Sequence, residues 1–138
     1  RTEDKIYYYQ QGGRRLTELL FNLDYVTKHK CQTIAITEAE IDALSWQTLG
    51  RGAVAVGGSS FSKAQASQLI RTGAKNLIIS TDNDAVGKAL ANKIYKMMKN
   101  HFSIYMVEYP DGCKDMNDFI RQYPTKKPTI KKVSTKLF

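Results

Sequence analysis

Apolar and polar positions follow two rhythms along this chain, and the rhythm switches several times. Four short β-rich runs, Thr33–Thr37 (TIAIT), Ala53–Val56 (AVAV), Asn76–Thr81 (NLIIST) and Ser103–Val107 (SIYMV), predict strands. Segments with helical signals separate them. Ala39–Leu49 reads as a helix, and Phe61–Thr72 as a second, with Ser60 as its N-cap and Gly73 as its stop. Ala85–Lys99 is the clearest helix, because Val86, Leu90, Ile94, Met97 and Met98 recur at helical spacing. Met116–Gln122 is a last short one.

Strands alternating with helices of about ten residues or more need crossover connections. The expected class is therefore α/β, a mostly parallel four-stranded sheet flanked by helices. Right-handed crossovers place helices on both faces, and ligands bind beyond the carboxyl ends of the strands. Residues 1–31 behave differently. Ile6–Tyr9 (IYYY) looks like a strand, Gln10–Arg15 like a turn at Gly12-Gly13, and Leu16–Leu23 like a helix or irregular brace. We assign 1–31 to part of an N-terminal subdomain, 32–122 to the main domain, and 123–138 to a basic C-terminal tail or linker.

Length and charge narrow the picture. The 138 residues suffice for one hydrophobic core, and the start at Arg1 without a Met reads as a fragment of something longer. The charge of +8 favours polyanion partners, since neutralised phosphates release counterions. Part of that excess is Lys126, Lys127, Lys131, Lys132 and Lys136, whose plainer reading is a solvated terminus with little aromatic interleaving. No run approaches the roughly 18 apolar residues of a membrane span, so no membrane partner is expected. Cys31 and Cys113 lack metal-site spacing and read as reduced thiols in a cytoplasmic protein.

The acids are where chemistry is expected. Glu38 follows the first strand, Asp82 and Asp84 the third, and Asp111, Asp115 and Asp118 the fourth. All then lie along one edge of one sheet in a basic protein. Crowded carboxylates repel, and Mg²⁺ answers this with oxygen ligands and a shell shared with phosphate. Each acid also has a plainer use. Asp84 suits a helix cap, Asp82 a turn, and Glu38 a first helical turn. Asp115 and Asp118 suit the start of the last helix. Gly87, in the first turn of the long helix, implies close approach of a backbone or a ligand. Lys88 beside it sits at an anion-friendly helix start. Gly57-Gly58-Ser59-Ser60 reads as a turn, since it lacks a Walker lysine. Trp46 reads as core.

Together, TIAITEAEIDAL, AVAVGG, LIISTDNDAVGKALA and PDGCKDMNDFI resemble a Toprim domain over about residues 32–122. That resemblance implies a Rossmann-like Toprim sheet. It assigns the glutamate after the first strand to Glu38 and the Asp-x-Asp after the third to Asp82 and Asp84. The family usually has glycine after its glutamate, where this chain has Ala39. The turn is expected to survive that change. The ending Pro110-Asp111-Gly112 with Lys114-Asp115-Met116-Asn117-Asp118, and the run Glu40, Asp42, Ala43, are most similar to DNA primases of bacterial, phage and plasmid type.

What the resemblance implies is two-metal nucleotidyl transfer, making RNA primers on a single-stranded DNA template from nucleoside triphosphates, with a replicative helicase as a further partner. Mg²⁺ or Mn²⁺ would be held by Glu38, Asp82, Asp84 and Asp115. Asp42 and Asp118 would be auxiliary acids, and Lys88, Lys114 and Gly87 would meet phosphate. Two alternatives stay open: a Toprim nuclease, and a non-catalytic nucleic-acid-binding module.

Overall fold

The computed structural model describes residues 19–134. The expected strand at Ile6–Tyr9, the turn at Gln10–Arg15 and residues 16–18 of the Leu16–Leu23 brace lie outside them; the rest of the brace, residues 19–22, is irregular. The elements are α1 (Leu23–Lys28), β1 (Thr33–Thr37), α2 (Glu40–Thr48), β2 (Ala53–Ala55), α3 (Lys63–Arg71), β3 (Asn76–Ser80), α4 (Ala85–Met98), β4 (Ser103–Glu108), α5 (Met116–Gln122) and β5 (Thr129–Lys132). The four expected strands form, within a residue or so of their predicted bounds. A fifth, β5, was not expected. It lies inside the basic segment read as a tail and pairs antiparallel with β4.

The sheet order is β2-β1-β3-β4-β5, with β1 to β4 parallel. Chain direction across the sheet reverses between β1 and β3: β1 leads outward to β2, β3 the other way to β4. Such a switch point opens a crevice at the carboxyl ends of its two strands. At the far edge, an antiparallel bridge joins Phe21 to Ala55 of β2.

Each face of the sheet is covered. Ile34, Ile36, Leu77, Ile79 and Ile104 meet Leu69 of α3 and Leu90, Ile94 and Met98 of α4, together with Leu20 and Val26 from the N-terminal segment. On the other face, Ala35, Ala53, Ala55, Ile78 and Val107 meet Trp46 of α2 and Met116 and Phe119 of α5. Three alanines on the sheet leave room for one tryptophan, which is only 2% exposed. Burying an aromatic side chain of this kind contributes about 2–3 kcal/mol.

Local signals explain the helix bounds. Ser62, not Ser60, caps α3: its hydroxyl accepts from the Gln65 N–H while the Gln65 side chain accepts from the Ser62 N–H. The serine three residues before a glutamine wins, because only that spacing closes a reciprocal capping box. Gly73, at φ +78°, follows α3 as its stop. Among the described residues no helix is long and apolar enough to cross a membrane.

Candidate metal centre

Strand register sets the site. Thr37 of β1 pairs with Ser80 of β3, so both strands end at one level. Neighbouring parallel strands lie about 4.8 Å apart. Glu38 and Thr81-Asp82 therefore leave the sheet side by side at the switch point. Ala39 takes φ −101° and ψ 152° and caps α2, an extended conformation that alanine adopts without strain. The turn survives the missing glycine.

The Asp82 loop is fixed from below and from the side. An ideal Cβ on Gly87 would lie 1.9 Å from the Asp82 carbonyl oxygen. The first turn of α4 thus rests on the Asp82 peptide, and the close approach implied by the sequence is to backbone. Thr81 Oγ1 donates to the Gly87 carbonyl at 2.8 Å. The Asn83 N–H donates to the Lys114 carbonyl at 2.6 Å, and Asn83 Nδ2 to the Cys113 carbonyl at 3.0 Å. Asn83 so ties the loop after β3 to the loop after β4, which carries Asp115.

These ties bring three carboxylates together. One oxygen each from Asp42, Asp82 and Asp115 lies within 4.8 Å of the others. Asp42 is the member that sequence reasoning ranked as auxiliary. It stands in the first turn of α2, is 1% exposed, and its Oδ1 accepts from the Asn117 N–H at 2.9 Å. The available signal was its position four residues after Glu38, one helical turn on. Asp115 Oδ1 caps α5, accepting from the Asp118 N–H at 2.8 Å. Asp84 Oδ1 caps α4, accepting from the Gly87 N–H at 2.7 Å. Asp118 Oδ2 accepts from the Lys114 N–H at 3.0 Å, which holds its carboxyl below the usual range. Asp111, Lys88 and Lys114 are exposed.

The cluster is short of positive charge. Burial, then the Asp82 charge, pushes the Glu38 carboxyl up to about 7. Burial, then Asp115 and Asp82, pushes Asp42 up to about 6. Asp82 is also raised, chiefly by burial, with Lys114 opposing. Among the described residues, Glu38 Oε1 and Asp82 Oδ1 are buried with no hydrogen-bond partner. Two ionised carboxylates have no hydrogen to share, so facing each other they need a proton or a cation. Hard oxygen donors in this number suit a divalent metal. Beneath them, Trp46 Nε1 donates to Ser80 Oγ at 2.8 Å, and Ser80 meets the Tyr109 hydroxyl at 3.0 Å. Burial pushes that hydroxyl well above its ordinary value.

A family model described as Toprim-like matches residues 35–120, which spans every one of these acids. The chain belongs to the Toprim-like family. The chain is also 31% identical over 106 residues to a DNA primase of Clostridium acetobutylicum, covering 75% of this chain and 17% of that protein. The chain thus spans a small part of its relative. A DNA primase domain from Pseudomonas aeruginosa has a similar fold, with a TM-score of 0.67 at 16% identity, covering 86% of this chain and 40% of the other. The DnaG primase catalytic domain bound to ssDNA matches with a TM-score of 0.62 at 21% identity, covering 79% and 36%.

Proposed function

We propose that this Toprim-like domain is the catalytic core of a DNA primase-like enzyme, which makes RNA primers on single-stranded DNA by metal-dependent nucleotidyl transfer. The observation that carries this reading is the meeting of Asp42, Asp82 and Asp115 at the switch point, with the unpartnered oxygens of Glu38 and Asp82 beside them. The primase relative and the fold shared with a primase domain bound to ssDNA support it.

Mg²⁺ or Mn²⁺ would suit these oxygens, and when bound it would neutralise phosphate charge in the reaction. Asp82, Asp115 and Asp42 would hold it, with Glu38 and the free oxygen of Asp84 completing the donor set. Glu38 would also take the proton of an attacking hydroxyl in this reading. Lys88 and Lys114, exposed at the rim, would meet nucleotide phosphates, and Gly87 keeps the Asp82 loop seated. The partners are then a single-stranded template and nucleoside triphosphates. A replicative helicase and a phage or plasmid replication system belong to the same reading.

Calorimetric titration with Mg²⁺ and Mn²⁺ tests it, on the wild type and on Asp82→Ala with Asp84→Ala. Weak divalent binding that the double substitution abolishes is expected, together with metal-dependent primer synthesis that falls by about 10³-fold, ~4 kcal/mol of barrier. Cut strands in place of new ones would assign a nuclease. Binding of DNA with no metal-dependent turnover would assign a non-catalytic module.

A further inference from the structure

Residues 119–134 hold Arg121, Lys126, Lys127, Lys131 and Lys132 and no carboxylate. In sequence this segment has few aromatic residues, and alone it looks like a solvated end. The fold changes its neighbourhood. Residues directly opposite across two strands share a face. Lys132 is opposite Tyr105, and Ile130 is opposite Val107. Tyr105 and Val107 belong to the α5 side of the sheet, so Lys132 and Ile130 do too. Tyr123, just past α5, packs on the same side, its ring 5.5 Å from Phe119. Lys126 Nζ lies 5.1 Å from the centre of the Tyr123 ring. Tyr105 and Tyr123 are half-buried, while Lys126, Lys127, Ile130 and Lys132 are exposed. The one carboxylate on β4, Glu108, sits opposite Thr129, on the other face, and pairs with Lys131 at 3.9 Å.

We propose that this face, built by β4, β5 and the end of α5, is a docking platform for single-stranded DNA. The proposal rests on the primase-like reading above and gives the template a path at the edge of the domain. Charge complementarity selects the occupant: a patch of lysines with no opposing acid suits a polyanion. The partly exposed ring of Tyr105, and that of Tyr123 beneath Lys126, select a single strand, whose unpaired bases present faces for stacking, over a duplex, whose bases are covered. The run also starts at the right end. β5 is antiparallel to β4, so Lys126 and Lys127, ahead of Thr129, lie at the carboxyl end of β4, where the Asp115 loop begins. A strand seated there would run from the acid cluster along β5 toward Lys132.

The test is fluorescence anisotropy with a labelled oligo-dT, using the whole chain in EDTA without nucleotide, so that metal chemistry plays no part. Lys126→Ala with Lys127→Ala and Lys132→Ala is expected to weaken binding at least tenfold. It should also lower the slope of log Kd against log salt by about 2, some 0.7 per lost phosphate contact. Tyr123→Leu, which keeps an apolar side chain against Phe119, is expected to raise Kd about fivefold with no change in slope. A duplex of equal length should bind more weakly than oligo-dT. Unchanged Kd and salt slope in the triple variant overturn the proposal, as does a wild type that buries this face in a dimer and ignores DNA. Oligo-dT binding that the triple variant loses, in a protein that makes no primers, would sustain the platform and remove the catalytic reading. Primer synthesis retained with the triple variant binding normally would do the reverse.

Discussion

The carboxyl ends of β1 and β3 and the outer edge at β5 are opposite solutions to crowding like charges. At the first, buried Asp42 and part-buried Asp82 and Asp115 approach within 4.8 Å, and among the described residues two carboxylate oxygens have no partner. At the second, every residue of β5 is exposed and its lysines spread into solvent. Water screens the second group and costs it little. Partial burial weakens that screening for the first group, so its charge is held in place by the fold and is relieved by a proton or a cation. Crowding in the dry places is therefore a stronger pointer to a ligand than a larger charge in the wet ones.

The tight side depends on how closely α4 seats against the Asp82 loop. Gly87→Ala drives a methyl group into the Asp82 carbonyl, 1.9 Å from the ideal Cβ. A loss of about 3 kcal/mol is expected, with weaker metal binding, read by urea unfolding and calorimetry. Gly58→Ala, where among the described residues nothing lies within 4 Å of an added Cβ, should stay within about 0.5 kcal/mol. Equal losses at the two would remove the claim that α4 is built on the Asp82 peptide.

A smaller effect sharpens it. Asp42→Asn keeps an oxygen for the Asn117 N–H and removes one charge from the cluster. Divalent affinity is expected to fall about tenfold, ~1.4 kcal/mol. The Tm of the metal-free protein at pH 7.5 should rise. A fall in both would mean that the charge on Asp42 stabilises the fold, contrary to its raised carboxyl.

Next comes pH. Glu38 rises from 4.5 to about 7 on folding and Asp42 from 3.8 to about 6, and Asp82 also rises. The folded chain then binds more protons than the unfolded one between those limits, so stability falls as pH rises through them. Below them the groups are protonated in both states and contribute nothing. In EDTA, Tm should drop by about 3–5 °C from pH 5 to pH 7.5. Mg²⁺ should raise Tm more at pH 7.5 than at pH 5, because protons compete with it. A flat profile in EDTA would mean that the acids are better solvated than their burial implies.

The smallest effect is on the wet side. Lys131→Ala removes an exposed pair with Glu108 at 3.9 Å, and the expected change in stability is under about 0.5 kcal/mol. A larger loss would mean that β5 depends on that pair.

The spacing of apolar runs and turn residues alone determined that β1 to β4 alternate with helices, and so that the sheet is parallel and its acids meet along one edge. Crossover geometry leaves little choice once the elements are known. Gly87 was legible as a close approach because a glycine costs stability in a helix start. The Toprim pattern likewise named Glu38 and Asp82. Which acids converge was decided only by tertiary structure. Asp42 joins Asp82 and Asp115, while one oxygen of Asp84 caps a helix, because register, the Asn83 ties and the Asn117 N–H set carboxylate positions to within a few ångströms. No spacing rule reaches that scale. β5 was invisible for a different reason: its burial pattern is exposed throughout, so no alternation marks it. It is a strand because β4 offers an unpaired edge, and the rings beside the basic segment, Tyr105 of β4 and Tyr123 just past α5, come from earlier in the chain.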